Sequence, residues 1–77
     1  MYLSDIIREK INPELEKLCV NKTITFHDFE EKEQTIKCKS VKFCDDDGDC
    51  WIKFTDENNK TYMTSGQGID IWFEISE

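Results

Sequence analysis

Residues 41–54 read "VKFCDDDGDCWIKF". Two arms of alternating apolar and polar residues flank an Asp-Gly pair, a favoured two-residue hairpin turn because both residues tolerate positive φ. A turn at Asp47-Gly48 sets Asp46 opposite Asp49, Phe43 opposite Ile52 and Val41 opposite Phe54. Every inward apolar residue then meets another, whereas a slip of one residue would turn the whole apolar set toward solvent. The competing reading is a calcium loop, which needs oxygen ligands at positions 1, 3 and 5, Gly at 6 and a bidentate Glu at 12. With Gly48 as the sixth position, the first and twelfth fall on Phe43 and Phe54, which have no ligand oxygen on their side chains. The hairpin is the better reading.

The surrounding sequence extends the same logic. Upstream, residues 34–44 place Ile36 and Cys38 inward and then Val41 and Phe43, so the parity slips at Lys39-Ser40. That slip predicts a bulge or sharp bend in a long strand. Residues 22–29 alternate too, with Ile24 and Phe26 on one face and Thr23, Thr25 and His27 on the other. Residues 51–55, 61–64 and 69–75 supply three more strands, the last with Ile69, Ile71, Phe73 and Ile75 on one face. A turn at Asn58-Asn59 would set Phe54 opposite Met63 and Thr55 opposite Tyr62.

The period changes at the N-terminus. Leu3, Ile6, Ile7, Ile11, Leu15 and Leu18 recur at helical spacing, with Ser4 as a start cap and Asp5 in the first turn. Asn12-Pro13 interrupts, Asn as an N-cap and Pro at the first helical position, which predicts a kinked helix or two short ones over 3–11 and 13–19. The fold expected is therefore α+β, in one domain over residues 1–77. A helical segment (1–20) packs on an antiparallel β meander (22–77) that forms a strongly bent five-stranded sheet or a small barrel. This order of elements, with its bent second strand, resembles the Sm-like and SH3-like small barrels. The resemblance implies architecture and no functional residues, because Cys38 to Ser40 stand where an Sm-type second strand has its Gly.

Seventy-seven residues are near the lower limit for a self-sufficient core. No apolar run reaches the ~18 residues of a membrane span, and the first twenty residues lack the pattern of a secretory signal, so the expected compartment is the cytoplasm. The net charge of −7 is uneven: residues 1–22 are balanced, and residues 23–77 hold thirteen acids against six bases. Such a chain is repelled by free nucleic acid and anionic membranes and attracted by cationic surfaces.

Chemistry finds little footing. Cys19, Cys38, Cys44 and Cys50 lack the C-x2-C spacing of zinc sites, and His27 is the sole histidine. In the hairpin register Cys44 faces outward opposite Trp51 and Cys50 inward opposite Asp45, which disfavours a disulfide. Four reduced thiols, no metal and no cofactor are expected. No nucleophile–base–orienter set and no phosphate loop is present, and "SGQG" at residues 65–68 reads as a turn, so no enzyme is expected.

The functional expectation is a non-enzymatic protein-binding module with an acidic rim at its hairpin tips: Glu30, Glu31 and Glu33; Asp45, Asp46, Asp47 and Asp49; Asp56 and Glu57. Carboxylates fixed on a scaffold can occupy a groove built for phosphates, since Arg and Lys recognise both as anionic acceptors. A short acidic chain of this kind looks like the inhibitors carried by phages and mobile elements, including DNA-mimic anti-CRISPR and uracil-glycosylase inhibitor proteins. "LSDIIREK" at residues 3–10 is similar to the opening helix of the latter. The partner expected from the rim is a protein with a basic surface, a nucleic-acid-binding enzyme or complex, with no direct nucleic-acid binding by this chain, which is expected as a monomer or weak homodimer. The resemblance implies a phage or mobile-element origin and action in the host cytoplasm.

Two alternatives stand beside it. One is an Sm- or SH3-like nucleic-acid or peptide binder using an outward aromatic face of Trp51, Tyr62 and Trp72 with Lys37, Lys39, Lys42 and Lys53. Lys42 opposite Lys53 is a like-charge pair that costs stability unless an acid such as Asp70 or Glu74 lies nearby. The other is a structural subunit that oligomerises through its edge strands.

Overall fold

The parity slip at Lys39-Ser40 lies inside a single strand, β2 (Glu33–Asp46), of 14 residues. Its partner β3 (Asp49–Asp56) pairs Asp46 with Asp49, Phe43 with Ile52, Val41 with Phe54 and Ser40 with Thr55, then Cys38 with Asp56, so Lys39 is the extra residue of a bulge. Straight, such a strand would run roughly 45 Å at about 3.3 Å per residue. The longest dimension of the molecule is 30 Å, so β2 is strongly bent. The computed structural model describes residues 2, 10–46, 49–64 and 71–76, with backbone alone at 45, 46 and 49. The Asp47-Gly48 turn, residues 3–9 of the expected helix, residues 65–68, Ile69 and Asp70 lie outside the described residues.

The bend divides the labour of β2. Its first part pairs with β1 (Thr23–His27), from His27 opposite Glu33 to Thr23 opposite Lys37, and its second part pairs with β3. β3 continues to β4 (Thr61–Met63), and β5 (Phe73–Ser76) lies against the free edge of β1. The result is a five-stranded antiparallel sheet in the order β4-β3-β2-β1-β5. Among the described residues that order is linear, and the ladders show a bent open sheet, the first of the two expected forms. One isolated bridge, Asp28 with Thr64, links the chain just beyond β1 to the chain just beyond β4.

One helix, α1 (Ile11–Cys19), is described, and it packs chiefly on β2. Its buried residues Ile11, Leu15 and Cys19 recur every fourth position and enter the same cluster as Ile24, Phe26, Ile52, Phe54, Ile71 and Phe73. Phe26 and Phe54 stack at 4.7 Å between ring centroids, and Phe73 meets Phe54 edge-on at 6.2 Å. Truncating any of these rings to Ala would cost about 3–5 kcal/mol, as much as the whole stability of a domain this small.

The helix start differs from the expected one. Lys10 holds the cap position without a side-chain cap bond, and Pro13 falls third in the first turn, where no intrahelical N–H is required. Asn12 serves another purpose: its Oδ1 accepts the Phe43 N–H at 2.8 Å. Beyond Lys37, β2 no longer has β1 beside it, and the Asn12 amide covers a backbone donor on that exposed edge.

The second turn also differs. Phe54 stands opposite Tyr62 and Lys53 opposite Met63, one residue away from the register of a two-residue Asn58-Asn59 turn. The connection spans three residues, with Asn59 in the left-handed region at φ 65°. Because strand side chains alternate, this single extra residue turns Tyr62 to the core and Met63 outward. Tyr62 packs edge-on against Phe26 at 5.9 Å, and Met63 is 44% exposed.

Candidate functional site

The β1–β2 and β3–β4 hairpin loops are built alike. In the first, the Asp28 N–H donates to the Lys32 carbonyl and the Glu31 N–H to the Asp28 carbonyl, both at 2.8 Å. In the second, the Asp56 N–H donates to the Lys60 carbonyl at 2.9 Å and the Asn59 N–H to the Asp56 carbonyl at 3.0 Å. Glu31, like Asn59, is left-handed, at φ 63°. Each is a turn followed by one left-handed residue, a three-residue hairpin geometry.

The aspartates hold these loops. Asp28 Oδ1 accepts the N–H groups of Glu30 and Lys32, and its Oδ2 accepts the Gln34 side-chain amide at 2.8 Å. Asp56 Oδ1 accepts from Asn58 and Lys60, and its Oδ2 accepts the Tyr62 hydroxyl at 3.1 Å. The Gln34 amide, followed by the Lys32 and Glu30 N–H groups, holds the Asp28 carboxyl below the ordinary aspartate range. At Asp56, partial desolvation pushes upward, and the donors from Lys60, Tyr62 and Asn58 outweigh it, so this carboxyl is lowered as well.

Asp56 was expected on the acidic rim, and its carboxylate is turned into its own loop. The exposed carboxylates of these two loops and of the first residue of β2 are Glu30, Glu31, Glu57 and Glu33. Two make loose surface pairs, Glu30 with Lys32 at 3.6 Å and Glu57 with Lys37 at 3.7 Å. Such exposed pairs are weak and leave both groups open to a partner. The third acidic cluster, Asp45 and Asp46 with Asp49, lies at the far end of β2 from Glu33. The acidic residues are therefore spread over three hairpin tips, beside Glu33, beside Lys37 and at the Asp46–Asp49 end of β2; Asp47 lies outside the described residues.

The aromatic face is also rearranged. Tyr62 leaves it for the core side, by the register change above. Trp72 lies beside His27, with ring centroids 5.0 Å apart, and pairs through its backbone with Tyr2. Trp51 belongs to a different group: with Phe29, Met63 and Thr64 it lines a pocket of about 230 Å³. Phe29, at the tip of the β1–β2 loop, is 77% exposed, while the Thr64 hydroxyl is buried and accepts the Ile52 N–H at 3.0 Å.

Lys42 stands opposite Lys53 as expected, and among the described residues neither is in an ion pair. Glu74 lies across from Thr25 on β1 and does not serve them; Asp70 is outside the described residues. With Asn12, Glu16, Ser40 and Thr55 the two lysines line a shallow concavity of about 400 Å³ beside α1. Cys44 lies opposite Trp51 and Cys50 opposite Asp45, both thiols half-buried, whereas Cys19 and Cys38 are fully buried. Burial pushes Cys19 to about 12, with Cys38 adding to the effect, and Cys38 to about 11. Among the described residues no three His, Cys, Asp or Glu side chains converge to hold a metal ion.

The chain matches no protein-family model, no curated protein and no solved structure. The loop aspartates were missed as structural parts of the site, and a signal for them exists. "F-x-D-x-x-x-K" occurs at Phe26, Asp28 and Lys32 and again at Phe54, Asp56 and Lys60, at one constant offset. An internal-repeat comparison finds it. Phe29, flanked by acids in a loop, carries no comparable signal.

Proposed function

We propose that this protein is a non-enzymatic acidic binding module that engages the basic surface of a nucleic-acid-handling protein and inhibits it by occupying the nucleic-acid groove. The observation that carries this reading is the pair of matched loops. Each spends one aspartate on its own backbone and thereby holds its glutamates on a fixed frame, Glu30, Glu31 and Glu33 on one and Glu57 on the other. Charges fixed before binding lose little entropy on meeting Arg and Lys, and they speed encounter. A phage or mobile-element origin and action in the host cytoplasm belong to the same proposal. So does an SH3- or Sm-like barrel, supported by the bend in β2 and the Asp28–Thr64 bridge.

The test is competition. Proteins captured from a host lysate on the immobilised chain should be nucleic-acid binders, be released by added duplex DNA or RNA, and elute with rising salt. A variant with Glu30, Glu31, Glu33 and Glu57 all changed to Gln should associate more slowly. Capture that ignores both salt and nucleic acid refutes the reading.

A second reading has its own observation. The Lys42–Lys53 pair, in no ion pair among the described residues and set in a concavity with Glu16 and the Ser40 and Thr55 hydroxyls, suits an anionic group such as a phosphate or a carboxylate. In that case the protein would be a nucleic-acid or peptide binder, and Lys42→Gln with Lys53→Gln would abolish binding while the Glu variant kept it.

A further inference from the structure

Of the large apolar side chains exposed among the described residues, Tyr2, Phe29 and Met63, two sit side by side and belong to two neighbouring concavities. The smaller is the pocket of about 230 Å³ between Phe29, Trp51, Met63 and Thr64. The one hydroxyl in its wall, that of Thr64, is buried and accepts the Ile52 N–H, so the surface the pocket turns to a guest is the apolar one of Phe29, Trp51 and Met63. A cavity of roughly 150 Å³ lined by apolar residues accepts benzene, so this one suits one large side chain and not a drug-sized ligand. The larger concavity, about 340 Å³, shares Phe29 and Met63 and continues over Asp28, Glu30, Gln34 and Tyr62. Two carboxylates, Asp28 and Glu30, and one base, Lys32, line it, and Glu30 is held by Lys32 only in a loose exposed pair at 3.6 Å.

We infer that Phe29 and Met63 form the ridge of a two-part docking site that takes an apolar side chain on one flank and an adjacent Arg or Lys on the other, both from one segment of a partner protein. The inference rests on the basic-surface reading above and specifies how that surface is recognised. Charge complementarity selects the occupant. A second copy of a chain carrying −7 would bring more carboxylates to an acidic tip, whereas a basic segment neutralises it. Salt-sensitive encounter then comes from the glutamates, and retention comes from water-excluded burial of the apolar anchor, the division of labour common in protein interfaces. The Asp28–Thr64 bridge is what makes the site, because it brings the β1–β2 tip against the end of β4.

The probe is a short synthetic peptide, Gly-Ser-Arg-Leu-Arg-Ser-Gly, titrated into the full chain labelled with nitrogen-15. Amide shifts should gather at Phe29, Met63 and Thr64 and at the Trp51 indole. Replacing the Leu by Ser should weaken binding about tenfold, the scale of burying one aliphatic side chain. Phe29→Ser should have the same effect on the parent peptide; its exposure makes misfolding no concern, and an unchanged spectrum elsewhere verifies this. If the Ser peptide and the Phe29→Ser protein bind as well as the originals, the apolar anchor is wrong and the basic-surface reading survives. If a peptide with Gln in place of both Arg binds equally well, the basic-surface reading falls and this inference with it. No shift at millimolar peptide, or a concentration-dependent dimer that Phe29→Ser abolishes, also overturns the proposal.

Discussion

Glu31 and Asn59 occupy equivalent left-handed positions in two loops of the same design, at φ 63° and φ 65°, and this supports a differential experiment. A left-handed backbone costs an ordinary L-residue about 1–2 kcal/mol, and Asn bears it better than Glu. Replacement by Gly removes that cost and adds about 0.5–1 kcal/mol of unfolded-state entropy. Glu31→Gly should therefore gain roughly 0.5–1 kcal/mol, which raises Tm by a few degrees in a domain of this size. Asn59→Gly starts from a smaller penalty and also loses the 2.6 Å bond from Lys39 Nζ to Asn59 Oδ1, so it should be neutral or slightly destabilising. Glu31→Gln is the charge control and should leave stability where it was. Urea titrations followed by tryptophan emission, with thermal melts by circular dichroism, give all three values. A loss on Glu31→Gly, or a gain at Asn59 equal to the gain at Glu31, would refute the assignment of matched loops.

Three further outcomes are expected. Both loop aspartates titrate below the ordinary value of 3.8, so their stabilisation is complete above that value and is lost as pH falls below it. Melting temperature should drop on acidification, and the drop should shrink when Asp28 and Asp56 are both Asn; an unchanged acid slope contradicts their role. Tyr62→Lys should unfold or severely destabilise the protein and Met63→Lys should be tolerated, because the register puts the first side chain against Phe26 and the second in solvent. The reverse order in a melting series would restore the two-residue turn. In the native protein, Cys44 and Cys50 should react with a thiol reagent well before Cys19 and Cys38, whose burial disfavours the thiolate; four equal rates would contradict the core described.

Strands whose apolar residues alternate against a recognisable turn were legible in the sequence. The β2–β3 register followed from Asp-Gly chemistry and the parity of Val41, Phe43, Ile52 and Phe54, and the bulge at Lys39 followed from the break in that parity. The β3–β4 register did not. Asn58-Asn59 fits a two-residue turn about as well as a three-residue one, and only the engagement of the Asp56 side chain by Asn58 and Lys60 decides between them. Tyr62 inherits that ambiguity: a two-residue turn puts it on the outward face, and the three-residue turn puts it against Phe26. The acidic residues were legible as composition, yet their separation depends on where hairpins begin and end along one bent strand. The grouping of Phe29 with Trp51 and Met63 depends on a contact between chain segments far apart in sequence, which no local pattern records.

The sharing of β2 between two partners also governs how the chain can assemble. Its hairpins with β1 and with β3 each close a short loop, so both can form early and locally, on the microsecond scale of hairpins. The pairing of β1 with β5 joins Thr23 to Ser76, across about two thirds of the chain, and its closure entropy is repaid only once a surface exists to receive Phe73. Kinetically, then, β5 is expected to dock last. Truncations of Phe73 should mainly accelerate unfolding, while changes at Phe43 or Ile52 should mainly slow folding. A high φ-value at Phe73 would reverse that order.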